Sequence, residues 1–255
     1  MFILNLIKKL AIKFNYEIIN TKAHKKYNTI NTIKFLINKI KKKKIIIFDV
    51  GANVGDFSHN LRKACESLNK IPIIHCFEPN KKLIPIINNT LGSKNIFINK
   101  YGLGQKICKK FFYIHESHVK SSFLKIDKNF FLNRKKYKIK KKIEKVNTLD
   151  NYRKIHNIQS IDFLKIDTQS FNEEVIAGAK NSLKNEKIKI IYTEITLGRK
   201  YSKSESFINF EKYLIKYNYC LFAIDLGANK FIEVPSLLSN KELNLDVFYV
   251  QKKLL

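Results

Sequence analysis

Arginine is nearly missing from this chain: Arg62, Arg134, Arg153 and Arg199 are the only four in 255 residues. Positive charge is nonetheless in large excess, with 49 Lys+Arg against 21 Asp+Glu and a formal net charge of +28, so lysine supplies nearly all of it. So basic a chain suggests RNA, DNA or an anionic membrane as partner. Lysine lacks the planar fork with which arginine reads phosphates and bases. It also comes with abundant Ile and Asn, the residue bias of an AT-rich genome, so both explanations stay open. No RNA module or aromatic-basic face stands out in favour of nucleic acid.

Cysteine is sparse and scattered. Cys65, Cys76, Cys108 and Cys220 form no C-x-x-C pair and have no histidines at zinc-finger spacing, which excludes an encoded disulfide scaffold or structural zinc site. Reduced thiols fit a cytoplasmic protein. No H-x-x-x-H pattern or carboxylate triad calls for a metal. The apolar opening Met1 to Ile7 is interrupted by Lys8 and Lys9, so it matches neither a signal peptide nor a spanning helix. Leu6, Leu10 and Lys13 recur at helical spacing, and residues 1–43 read as an N-terminal helical cap, with peripheral membrane contact through that helix as the alternative. A P-loop is absent, and so is the G-x-G-x-x-G fingerprint of nicotinamide enzymes.

What is present is a 45% hydrophobic chain able to bury a core. Ile45 to Phe48 is a continuous apolar run, as expected of a strand buried on both faces, and it ends in Asp49 and a glycine turn. Phe57, Leu61, Ala64 and Leu68 make one stripe of a helix. Ile73 to Phe77 predicts the next strand, followed by a helix from Leu83 to Asn89 and a strand from Asn95 to Asn99. The alternation returns with a strand at Ile161 to Ile166, a helix at Glu173 to Leu183, a strand at Ile188 to Thr193 and a helix at Phe207 to Tyr217. Tyr219 to Phe222 and Val247 to Val250 complete about seven strands. This is an α/β pattern with a mostly parallel sheet. Residues 44–255 form one domain, with a lysine-rich, irregular insertion or lid around 105–145.

Asp49-Val50-Gly51-Ala52-Asn53-Val54-Gly55 lies between a buried strand and a helix, where α/β sheets bind nucleotides. Glu78 ends the next strand, where a carboxylate can accept both ribose hydroxyls of a nucleoside. Tyr101-Gly102-Leu103-Gly104, after the third, offers flexible backbone to an adenine. Asp225 to Asn229 nearly repeats Asp49 to Asn53, but the strand-like, proline-broken stretch after it makes it a hairpin turn.

Taken in order, Asp49 to Gly55, Phe77-Glu78-Pro79, Leu164-Lys165-Ile166-Asp167 and Tyr192-Thr193-Glu194 resemble the FkbM family of S-adenosylmethionine-dependent methyltransferases. Val146 to Asp150 resembles that family's Thr-Leu-Asp segment, and Glu174 to Ala179 its Glu-Val-Leu-x-Gly-Ala helix. The resemblance runs from about Ile45 to Val250. It implies a class I methyltransferase (Rossmann-like) fold, a seven-stranded mostly parallel sheet with an antiparallel last strand and helices on both faces. It also implies S-adenosylmethionine as cofactor and O-methylation of a sugar, glycan or other small acceptor. By that resemblance Asp49, Gly51 and Asn53 face the methionyl end of the cofactor, Gly55 completes the cofactor-binding turn, Glu78 meets the ribose, and Gly102 and Leu103 meet the adenine. Asp167 would stand beside the transferred methyl. Where the family commonly continues with Val-Glu-Gly, this chain has Thr168-Gln169-Ser170.

A hydroxyl acceptor benefits from a base as the new bond forms. Asp167 is the first candidate and Glu194 the second, while His115 and His118 in the insertion read as incidental. Two alternatives stand beside the small-molecule enzyme: an RNA methyltransferase using the same cofactor site, and a non-catalytic binding or scaffold protein that kept the fold.

Overall fold

A computed structural model describes residues 28–127, 138–197, 201–202, 206–225 and 243–255. The first part of the expected helical cap and the Leu226 to Asn229 portion of the expected hairpin turn lie outside these residues. Asp225 ends a strand.

The central sheet has seven strands in the order β3-β2-β1-β7-β8-β10-β9. These are β1 (Lys44–Val50), β2 (Ile71–Phe77), β3 (Ile96–Asn99), β7 (Ile161–Ile166), β8 (Ile188–Leu197), β9 (Tyr219–Asp225) and β10 (Leu243–Gln251). All neighbouring pairs from β3 to β8 are parallel, and β10 runs antiparallel to both β8 and β9. Chain order reverses at β1, between β2 and β7, the switch point where such sheets open a crevice at the carboxyl ends of their strands.

The continuous apolar runs have their cause in two cores. Successive β1 residues alternate between them: Ile45 and Ile47 join one, Phe48 and Val50 the other. The first core is covered by α1 (Thr29–Asn38), α2 (Asp56–Glu66) and α3 (Ile84–Leu91), which contribute Ile33, Leu36, Leu61, Ala64 and Ile87. The second is covered by α4 (Leu149–Ile155), α5 (Asn172–Ala177), α6 (Lys180–Lys184) and α7 (Phe207–Ile215). Asn28 caps α1, its side chain accepting from the Asn31 amide at 2.9 Å.

Two segments differ from the sequence reading. The helix expected over Glu173 to Leu183 is two short helices, α5 and α6, separated at Gly178 and Ala179. The break packs closely, since a Cβ on Gly178 would lie 2.0 Å from the Gly104 carbonyl oxygen. Asp150 then caps α6, accepting from the Asn181 and Ser182 amides at 2.7 and 2.8 Å. The Thr-Leu-Asp and Gly-Ala segments are thus one structural joint.

The described part of the lysine-rich stretch is largely regular. β5 (Cys108–His115) and β6 (Ile139–Asn147) pair antiparallel, and with β4 (Gly102–Leu103) they form a second sheet in the order β4-β6-β5. Its outer face is solvated, so lysines fill strand positions and mask the period-two pattern. Beyond β5, a short turn of 3-10 helix, His118–Lys120, extends to the crevice.

Candidate active site

The carboxyl ends of β1, β2, β7 and β8 converge on a cavity of about 370 Å³, within the range of a small-molecule site. It is lined by Gly51 and Asn53 after β1, Glu78 after β2, Gly102 and Leu103 of β4, Asp167 to Gln169 after β7, and Glu194 of β8. Phe112, Phe123 and the His118 to Ser121 turn form the wall contributed by the lysine-rich segment.

The glycine turn exists because two backbones meet there. Gly51 has φ +79°, and a Cβ on it would lie 1.9 Å from the Asp167 carbonyl oxygen. Its amide and that of Ala52 both donate to the Phe77 carbonyl, at 3.0 and 3.2 Å, which draws the turn across β2. Asn53 and Gly55 follow with φ 53° and 90° before α2 begins.

Glu78 is buried at the mouth of that turn. Its Oε2 accepts from the Asn53 amide at 2.9 Å and its Oε1 from the Asn80 amide at 2.7 Å. Each oxygen keeps a further acceptor position. Burial pushes the carboxyl up to about 7, against the pull of the two amide bonds.

Lys165, to which the sequence reading gave no role, is the hub beneath the cavity. It lies opposite Asp49 in the β1–β7 register, and its Nζ stands 3.0 Å from Asp49 Oδ1, 3.8 Å from Asp167 Oδ2 and 2.7 Å from the Gly51 carbonyl oxygen. Burial works against the ammonium, but Asp49 and Asp167 outweigh it and hold its pKa above the ordinary lysine value. A lysine in a wholly buried strand must find such partners, and that was the available signal.

Asp49 itself does not line the cavity. It is fully buried, one oxygen held by Lys165 and the other accepting from the Ser58 hydroxyl of α2 at 2.6 Å. Gly55 also lies outside the lining. A Cβ there would meet Leu91 at 3.4 Å.

The two candidate bases are brought together by the residue that departs from the family pattern. The Gln169 amide nitrogen donates to Asp167 Oδ1 at 3.0 Å and to Glu194 Oε2 at 3.2 Å. Its Oε1 lies 3.1 Å from the Tyr201 hydroxyl. Gln169 and Ser170 both have left-handed backbones, φ 54° and 67°, an arrangement for which glycine is the usual residue. Asn172 secures this loop, accepting from the Thr168 amide at 2.9 Å and donating to the Glu194 carbonyl at 2.6 Å.

The lysine-rich segment is tied down over the cavity. His118 Nδ1 lies 2.6 Å from Asn53 Oδ1, and the Ser122 hydroxyl lies 2.8 Å from the Gln169 carbonyl. His118 therefore reaches the site, whereas His115 is buried behind it, its ring nitrogen accepting from the Ser117 amide at 3.1 Å. Among the described residues no cluster of His, Cys, Asp and Glu could hold a metal ion.

Residues 49–221 match the family model of the methyltransferase FkbM domain. The chain belongs to the FkbM methyltransferase family. Its cofactor is S-adenosylmethionine. No curated protein matches it. Among solved structures, the methyltransferase FkbM of Methylobacillus flagellatus KT is similar at 13% identity and a TM-score of 0.48, over 80% of this chain and 44% of that one. This chain thus spans less than half the length of that FkbM protein. Magnesium protoporphyrin IX methyltransferase from Synechocystis PCC 6803, with bound SAM, is similar at 8% identity and a TM-score of 0.47, over 88% and 78% of the two chains. An rRNA methylase from Streptococcus thermophilus matches at 10% identity and a TM-score of 0.46, over 88% and 97%. Likenesses of this strength add nothing to the family match. The FkbM cavity suits the donor chemically: Glu78 offers acceptor positions to paired hydroxyls, and Asp167 and Glu194 offer negative charge to a sulfonium.

Proposed function

We propose that the protein transfers the methyl group of S-adenosylmethionine to a hydroxyl oxygen of a sugar, glycan or other small acceptor. The observation that carries this reading is the Asp167–Gln169–Glu194 arrangement at the cavity, adjoining the Gly51 turn. The donor supplies an electrophilic methyl on a positively charged sulfur, so the chain's task is alignment and proton removal. In this reading Gly51 and Asn53 hold the methionyl end, Glu78 accepts from the ribose, and Gly102 and Leu103 contact the adenine, with Asp49 and Gly55 shaping the turn from behind.

Asp167 is the base. Its side chain is about one-third exposed at 36%, so an acceptor can reach it, while Lys165 and Gln169 fix its orientation. Glu194 sits on the other side of the Gln169 amide and receives or orients the acceptor's second hydroxyl. Phe112, Phe123 and the His118 turn exclude water.

The test is an acceptor screen of glycans, lipid-linked sugars and simple polyols with S-adenosylmethionine, reading formation of the demethylated cofactor and mass gain on the acceptor. Methylation on an acceptor oxygen supports the reading. Cofactor binding with no turnover on any hydroxyl acceptor, but methylation of amines or RNA bases, refutes it.

A further inference from the structure

The hairpin of β5 and β6 has two unlike faces. Direct cross-strand partners share a face, and the register sets Lys109 opposite Lys145, Phe111 opposite Ile143 and Tyr113 opposite Lys141. The alternate residues, Phe112, Glu144 and Val146, are buried on the inner face, and Phe112 lines the cavity. Glu144 is the single carboxylate in the two strands, and it pairs inward with Lys81 at 3.0 Å. Apart from Tyr113 and the buried His115, the outer face carries cations and large apolar side chains.

Those apolar side chains are strongly exposed: Phe111 at 45%, Ile143 at 60% and, just before β5, Ile107 at 65%. Single exposed apolar residues need no explanation. Here Phe111 and Ile143 face each other across the strands between two pairs that contain lysines, with Lys141 Nζ 3.5 Å from the centre of the Phe111 ring.

We propose that this outer face of the β5–β6 hairpin docks the enzyme on an anionic lipid surface, with Phe111 and Ile143 entering the headgroup–acyl boundary and Lys109, Lys141 and Lys145 meeting lipid phosphates. The charge is complementary, and lysine on a flexible stem suits headgroups that do not demand the bidentate geometry of arginine. The most exposed apolar side chains of the patch, Ile143 and Ile107, are aliphatic and have no hydrogen-bonding or stacking use against bases, but they are what an interfacial anchor buries. Because β5 carries Phe111 outward and Phe112 into the cavity wall, docking would place the active site close behind the membrane contact.

The chain has no tryptophan, so Phe111→Trp introduces a single reporter on the docking face. The full-length variant is titrated with vesicles of phosphatidylcholine alone, and with vesicles containing about one-third phosphatidylglycerol. A blue shift of Trp emission is expected with the anionic vesicles only. In co-sedimentation, the triple change Lys109→Gln, Lys141→Gln, Lys145→Gln should weaken binding on the order of 100-fold, at about fivefold per lysine. A charge-matched triple at Lys94, Lys180 and Lys184 should change it little. The exchanged side chains are exposed, and unchanged melting temperatures verify the fold. The proposal fails if the Trp emission stays unshifted on anionic vesicles, or if both lysine triples lose binding equally. It also fails if an RNA oligonucleotide binds and competes the vesicles away while Phe111→Ser with Ile143→Ser leaves vesicle binding intact.

Discussion

The ribose contact proposed for Glu78 would make donor binding a proton-linked event. Its carboxyl, raised by burial to about 7, is about half protonated at neutral pH in the free protein. A hydroxyl that donates to it favours the ionised form, so the donor binds the charged state and expels the proton. If only that state binds, affinity at pH 6 should fall about tenfold from its value at pH 8, and at pH 5 about a hundredfold, because each pH unit below the pKa removes a factor of ten. The same carboxyl acts on stability with the opposite sense. Its folded pKa lies above the unfolded value of about 4.5, so its contribution is complete below that pH and lost as pH rises through about 7. The difference amounts to about 3 kcal/mol. Calorimetric titration of S-adenosylhomocysteine in buffers of different ionisation enthalpy measures both affinity and protons released. Near pH 7 about half a proton per ligand should leave, and Glu78→Gln should abolish both the release and the slope while weakening binding by on the order of 1 to 3 kcal/mol. An affinity independent of pH between 5 and 8, with no proton exchange, would refute the assignment. A slope that survives in Glu78→Gln would move it to another group.

Three further outcomes follow from the same geometry. Asp167→Asn should leave donor affinity nearly intact and cut single-turnover rate by roughly 10²- to 10⁴-fold; a normal rate in the folded variant passes the proton to Glu194. Lys165→Met leaves Asp49 buried beside an apolar chain, and denaturant titration should show a loss of about 3 to 5 kcal/mol, restored in part by Asp49→Asn in the same chain. Gly51→Ala drives a Cβ into the Asp167 carbonyl, so it should abolish donor binding even where circular dichroism shows retained secondary structure.

The parallel strands were legible because strands buried on both faces carry apolar runs such as Ile45 to Phe48 with no alternation to confuse. Gly51, Glu78, Asp167 and Glu194 could be placed at one sheet edge from strand ends, whereas Gly102 and Leu103 belong to β4 of the second sheet. Side-chain direction could not: Asp49 and Asn53 sit in one motif, yet Asp49 turns beneath the sheet edge toward Ser58 and Lys165, while Asn53 lines the cavity. Tertiary partners were equally hidden. Lys165 acquires its role only when β1 and β7 pair, and Gln169 joins Asp167 to Glu194 only because two successive residues take left-handed backbones that neither side chain advertises. The hairpin was misread because lysine density resembles a loop when the buried face supplies only Phe112, Glu144 and Val146.

The contact of Gly51 with the Asp167 backbone has a mechanical consequence. With no Cβ between them, and with the Lys165 ammonium bonded to the Gly51 carbonyl and paired to the Asp167 carboxylate, the loop proposed to receive the donor and the loop proposed to receive the acceptor are joined directly. Displacement of either is felt by the other through backbone contact rather than through solvent. In the proposed arrangement donor and acceptor are therefore expected to bind as coupled ligands, and whatever factor the first contributes to the affinity of the second must return unchanged when the order of addition is reversed.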